Sequence, residues 1–161
     1  MTETWLPVVG YEGIYEVSDH GNVRTVKTGL LKKPTASKKD GRLSILLWQD
    51  NTCKLMKVHR LVAFAFLGDP PPKHECCHND GNPQHNHISN LRWDTVAANQ
   101  ADRVKHGTSN RGEQCGTSKL TTAQVLAIRA DNRLQREIAL DYGVRENTIS
   151  RIKSGKRWSH I

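Results

Sequence analysis

Along the first fifty residues, short segments of apolar and β-branched positions are set between polar turn signals, the composition of β-strands. Tyr15-Glu-Val-Ser18 and Val23-Arg-Thr-Val26 flank the turn signal Asp19-His-Gly-Asn22, and Arg42-Leu-Ser-Ile-Leu-Leu-Trp48 runs into a second turn at Gln49-Asp-Asn51. These segments predict a small antiparallel sheet broken by the basic loop LKKPTASKKDG, residues 31–41. The pattern then changes. His59 to Leu67 is almost wholly apolar and stops at Gly68 and the prolines Pro70, Pro71 and Pro72, so it predicts one short buried helix.

Residues 76–93, CCHNDGNPQHNHISNLRW, hold three histidines, two cysteines, four asparagines and an aspartate, but only three large apolar residues. A run of this kind adds little to a core. It is a surface loop or a place where chemistry is done. A short strand at Asn90-Leu-Arg-Trp93 follows, and Asp94 or Thr95 is placed to cap a helix that runs through Asn99 to His106 and ends at Gly107. The order is strand, polar loop, strand, helix.

Residues 108–118, TSNRGEQCGTS, are small and polar and predict a linker. Thr121 and Gln124 then form a capping-box pattern ahead of Val125, Leu126 and Ile128. In LQREIALDYGVRENTISRIKSGKRW the small Ala139, the turn residue Gly143 and the apolar Ile149 and Ile152 have helix-turn-helix spacing. With the isoleucines inward, Arg145, Asn147, Thr148, Ser150 and Arg151 are left for the major groove, and Lys153, Lys156 and Arg157 for phosphates. A plain helical hairpin with a basic surface would share the pattern.

Charge narrows the class of partner. The chain of 161 residues carries a formal +8 with a pI near 9.5, a balance that points to nucleic acid. Residues 1–58 hold nine Lys+Arg against six Asp+Glu, residues 59–99 three against four, and residues 100–161 twelve against six. Basic flanks around a near-neutral centre suit phosphate grips on either side of a metal-holding site, and solvated surface charge would look the same. The N-terminus lacks the basic-then-apolar pattern of a signal peptide, and no apolar run is long enough to span a bilayer. A soluble cytoplasmic protein with no membrane partner is the expectation. The cysteines Cys53, Cys76, Cys77 and Cys115 form no CxxC pair, which indicates free thiols rather than a zinc knuckle or a disulfide framework.

The central segment resembles the HNH nucleases, and most closely the phage and intron-borne homing endonucleases whose third signature residue is asparagine. The residues that carry the likeness are His78, Asn90 and Asn99, set in CHNDGN, SNLRW and AAN, behind the helix HRLVAFAFLG. Upstream, WLPVVGYEGIYEVS with GNVR is similar to the small module that precedes such nuclease domains, so the likeness covers residues 5–107. It implies an α+β chain with a β-rich N-terminal segment (1–58), a ββα-metal nuclease core (59–107), a linker (108–118) and a helix-turn-helix (119–161). It also implies a monomeric, phage-encoded enzyme that cleaves double-stranded DNA in the host cell with one divalent ion, Mg2+ or Mn2+.

The same resemblance assigns roles. His78 is the general base, Asn90 holds its ring through an amide contact, and Asn99 ligates the metal through its carbonyl oxygen. The second ligand position, commonly aspartate, falls on Cys77, a soft donor that Mg2+ accepts poorly. The substitution leaves three outcomes open: Cys77 ligates a softer ion, water or Asp80 takes the place, or the chain is a DNA-binding regulator with a degenerate nuclease site. A structural zinc held by Cys76, Cys77 and nearby histidines is a further alternative.

Overall fold

The computed structural model describes residues 2–161, and the chain divides into two compact units that meet at Gly107 and Thr108. In the first unit, β1 (Trp5–Pro7), β2 (Tyr15–Ser18) and β3 (Val23–Thr25) form an antiparallel sheet. β4 (Thr35–Ala36), β5 (Leu43–Gln49) and β6 (Thr52–Lys57) form a second. Both predicted turns are present, and Asp50 and Asn51 at the β5–β6 turn have φ of 49° and 58°, the left-handed pair that a tight hairpin requires. The basic loop is not all loop: Thr35 and Ala36 pair with Ser44 and Leu43, because β5 leaves an edge to be hydrogen-bonded there. β6 has no alternating pattern of its own; six cross-strand pairs with β5 define it.

β6 passes directly into α1 (Val58–Leu67), which stops at Gly68 with φ 75°. α1 buries Val58, Leu61, Val62 and Ala63 in one cluster with Val8, Val17 and Val23 of the first sheet region and Ile45 and Leu47 of β5. The N-terminal segment and the polar-run segment therefore share one core. A third sheet is the two-stranded β7 (His74–His78) and β8 (Leu91–Thr95), followed by α2 (Val96–Lys105), whose cap is Thr95 accepting from the Ala98 amide. Strand, loop, strand and helix follow in the predicted order.

The second unit contains α3 (Thr122–Ala130), α4 (Gln135–Asp141) and α5 (Glu146–Lys153). The predicted capping box at Thr121 and Gln124 is present in full. Val125, Ile128, Ile138, Ile149 and Ile152 are completely buried, together with Leu120, Ala139 and Trp158. Gly143, with φ 60°, lies in the turn between α4 and α5.

Because the two clusters are separate, their stabilities are expected to separate as well. Ile149→Ala removes a fully buried side chain and is expected to cost the 108–161 unit about 2–5 kcal/mol. Hydrogen exchange should then accelerate in α3–α5 while amides of β2, β5 and α1 keep their wild-type protection. Equal loss in both units would show a single cooperative body.

Candidate active site

β7 and β8 pair antiparallel with His78 opposite Leu91, Cys77 opposite Arg92 and Cys76 opposite Trp93. Successive side chains on a strand point to opposite faces. Cys76 and His78 accordingly meet α1: the Cys76 thiol donates to the His59 carbonyl at 3.6 Å, and the His78 ring centroid lies 5.1 Å from that of His59. Glu75 meets α2, where its Oε2 accepts from Asn99 Nδ2 at 2.9 Å. Cys77 lies among Arg92, Asp94, Glu75 and Asp102.

His78 Nε2 lies 3.0 Å from Oδ1 of Asn86, a residue only 3 % exposed. Asn86 Nδ2 donates to the Gln84 carbonyl, which fixes the amide with its oxygen toward the histidine. The imidazole must then carry its hydrogen on Nε2, which leaves Nδ1 with the lone pair. Burial pushes the His78 pKa below its ordinary value of 6.5, while the Asn86 bond works in the opposite direction. At neutral pH the ring is uncharged and able to accept a proton. His59, buried beside it, is held neutral more strongly, its pKa pushed down to about 3 chiefly by desolvation.

The amide that meets the His78 ring belongs to Asn86, not to Asn90. Asn90 is buried and holds the loop instead: its Oδ1 accepts from the Asp80 amide at 3.1 Å, and its Nδ2 donates to Asp80 Oδ1 and the His85 carbonyl. Asp80 closes the turn by accepting from the Asn82 amide at 2.8 Å and contacts His85 Nδ1 at 2.7 Å. Desolvation works to raise the Asp80 pKa, but the bonds from His85 and Asn90 outweigh it and hold it down at about 2. Asp80 is thus an ionised loop anchor with its oxygens committed, a poor replacement for a missing metal ligand.

Asn99 and Glu75 place a neutral carbonyl oxygen and a carboxylate together on the α2 face, a donor pair that suits a hard divalent cation. With Nδ2 committed to the carboxylate, Oδ1 is the Asn99 atom left to ligate. Cys77 is 3 % exposed, its Sγ donates to the Glu75 carbonyl at 3.5 Å, and burial raises its thiol pKa against the pull of Arg92. A protonated, buried thiol is a poor donor for Mg2+. Sequence reasoning missed Glu75 because its place beside Asn99 depends on how α2 packs. Arg92 was missed too: its guanidinium bridges Asp94 on β8, Asp102 on α2 and Asn79 in the loop. The zinc reading for Cys76 and Cys77 is not supported, since the two thiols donate to different carbonyls on opposite faces.

In the second unit Arg145, Asn147, Ser150 and Arg151 of the α5 region are exposed, Thr148 is half-buried, and Ile149 and Ile152 are fully buried. Lys156 and Arg157 are also exposed. Lys153 is half-buried, and its ammonium donates to the Asp131 carbonyl, so it is committed within the unit. No helix among the described residues is long and apolar enough to cross a membrane.

The chain is similar to known proteins in both sequence and fold. Residues 3–48 match the NUMOD4 motif and residues 56–101 match the HNH endonuclease family. The chain is 28 % identical to DNA endonuclease I-HmuI of Bacillus phage SP01 over 97 % of its own length and 92 % of that protein. It is 35 % identical to Protein 7.7 of Escherichia phage T7 over 67 % of this chain and 82 % of the relative. The solved structure described as DNA binding and cleavage by the HNH homing endonuclease I-HmuI superposes with a TM-score of 0.62, covering 96 % of this chain and 91 % of that one. An α+β chain with a strand–loop–strand–helix segment that presents His78 and Asn99, preceded by a NUMOD4 motif, belongs to the HNH endonucleases.

Proposed function

We propose that this endonuclease is a metal-dependent homing-type enzyme that cleaves double-stranded DNA as a monomer in the cytoplasm of a phage-infected cell. The observation that carries the reading is the contact of His78 Nε2 with Asn86 Oδ1 at 3.0 Å, from an amide oriented by the Gln84 carbonyl, which puts the ring hydrogen on Nε2 and leaves Nδ1 to accept a proton. In the reaction, water gives a proton to His78 Nδ1, the water oxygen bonds to phosphorus, and the bond from phosphorus to the leaving sugar oxygen breaks, the oxygen keeping the electron pair and taking a proton from solvent. A bound Mg2+ or Mn2+ supplies positive charge against the negative charge that builds on the phosphate and the leaving oxygen. Asn99 and Glu75 would hold that ion. Cys77 is a supporting residue under this reading, and a regulator without cleavage is the competing one. Purified chain incubated with phage or host DNA and Mg2+ or Mn2+, with EDTA as control, separates the two: binding without metal-dependent cuts under either ion refutes the nuclease reading.

His78→Ala is expected to lower the cleavage rate by a factor on the order of 10^2 to 10^4 with DNA affinity unchanged. The base must be neutral, so the rate falls as pH drops through the His78 pKa, and that limb lies below 6.5. Asn86→Ala removes the one bond that works upward on this pKa, so the acid limb should move lower while the plateau rate falls. A pH–rate profile of both proteins measures this; an unmoved limb in Asn86→Ala would remove Asn86 from the mechanism.

Glu75→Gln should weaken Mn2+ binding, read by electron paramagnetic resonance, by about tenfold or more, whereas Cys77→Ser should change it little. The reverse order would return Cys77 to the ligand set.

For the C-terminal unit, Asn147 and Arg151 are assigned to base edges and Lys156 and Arg157 to phosphates. Asn147→Ala is expected to cost about 1–3 kcal/mol on the preferred target and to relax specificity at one position. Lys156→Ala should weaken binding on all sequences and reduce the salt slope by about one. Identical selectivity profiles for the two variants would contradict the division.

A further inference from the structure

Away from the Glu75–Asn99 pair, one group of side chains has the chemistry of a different metal. Asp19 and His20, in the turn between β2 and β3, and His87, in the polar loop, bring one ligand atom each to within 4.8 Å of one another. Among the described residues no other group of three His, Cys, Asp or Glu side chains comes so close. The two imidazoles are tilted at 54° with centroids 4.7 Å apart rather than stacked.

We propose that Asp19, His20 and His87 form a second metal site, for Zn2+ or a similar borderline transition ion, that clamps the β2–β3 turn to the loop carrying Asn86. Two imidazoles and one carboxylate are a common zinc donor set, with water completing the tetrahedron. Bonds of about 2.0 Å at tetrahedral angles put ligand atoms about 3.3 Å apart, so no pair of the three donors needs to close by more than about 1.5 Å. His20, with its side chain 46 % exposed, has room to make that movement. Mg2+ is the wrong ion here, because it favours oxygen donors and gives up its water reluctantly.

The surroundings already hold two of the ligands. Asp19 Oδ1 accepts from the Thr4 amide at 3.0 Å, which orients the carboxylate, and the same oxygen lies 3.9 Å from His20 Nε2. His87 Nδ1 lies 2.8 Å from Ser89 Oγ and also accepts from the Ser89 amide at 3.2 Å. With Nδ1 engaged by Ser89, Nε2 is the ligating nitrogen. On metal binding Nδ1 takes the proton and donates it to Oγ, the outer bond that ligating histidines usually make, and the contact with the Ser89 amide is released. The Glu3 carboxylate, bonded to Asn22 Nδ2 at 2.6 Å, adds negative charge beside the turn.

The turn and the loop are in contact before any metal arrives. The Ile88 amide donates to the Asp19 carbonyl at 2.7 Å. Gly21 packs so closely that a Cβ there would stand 2.8 Å from Cβ of Asn86. A metal at this junction would stiffen the segment that holds Asn86 against His78. The site is defined by binding, so it stands or falls independently of whether the chain cuts DNA.

The test uses the full chain, stripped with chelator and desalted, with Zn2+ alone and neither Mg2+ nor DNA present. Isothermal titration and metal analysis after desalting should give one equivalent of Zn2+ in wild type and in Cys76→Ser/Cys77→Ser. In His20→Ala and in His87→Ala the affinity should fall at least tenfold. Hydrogen exchange should show Zn2+-dependent protection at residues 19–22 and 86–88 in wild type and none in His20→Ala, whose circular dichroism checks that it is folded. Equal Zn2+ binding by wild type and both histidine variants would overturn the proposal, as would a stoichiometric site lost with the cysteines.

Discussion

The constraint on which the rest depends is the register of the β7–β8 hairpin. Alternation sends Cys76 and His78 to meet α1 and Glu75 to meet Asn99 on α2. A slip of one residue would exchange the faces and place a thiol against His59 where the imidazole now lies. Two features hold the register. Leu91 and Cys76 are buried in the shared core, and the Arg92 guanidinium ties β8 to both α2 and the loop through Asp94, Asp102 and Asn79.

The loop from Asn79 to Asn90 has almost no apolar surface to bury, so its order comes from hydrogen bonds. Asp80 and Asn90 are reciprocal partners, Asn82 and Gln84 close short turns through side-chain acceptors, and Asn86 faces inward to the histidine. Asparagine suits these positions because its amide both accepts and donates and does not titrate. A charged substitute at Asn86 would set the His78 proton by electrostatics; the neutral amide sets it by geometry. The polar loop is therefore a structural element in its own right.

The NUMOD4 segment does more than extend the surface. Its valines and β5 complete the core under α1, and its β2–β3 turn presses Gly21 against Asn86. The base is thus supported from one side by α1 and from another by the N-terminal segment. The second unit follows a different rule: its isoleucines form a closed core, and most of its basic side chains remain outside. One exception is Lys153, whose proximity to Asp131 commits it to an internal carbonyl.

Much of this was legible in the residues. Gly68 and the prolines ended α1, Thr95 capped α2, Thr121 and Gln124 capped α3, and Ile149 and Ile152 faced inward, because local propensity and periodicity decide such features. His78 and Asn99 stood out by motif. The partners of these residues did not. Asn86 rather than Asn90 at the imidazole, Glu75 beside Asn99, Arg92 as the bridge, β4 within the lysine-rich loop, and His20 beside His87 all join segments through side-chain reach across the fold. Sequence determines which groups are present and which face of an element they occupy. Only the closure of loop on sheet and helix on hairpin decides which two of several equivalent amides and carboxylates come within 3 Å, because that choice is made by packing around the pair rather than by either residue.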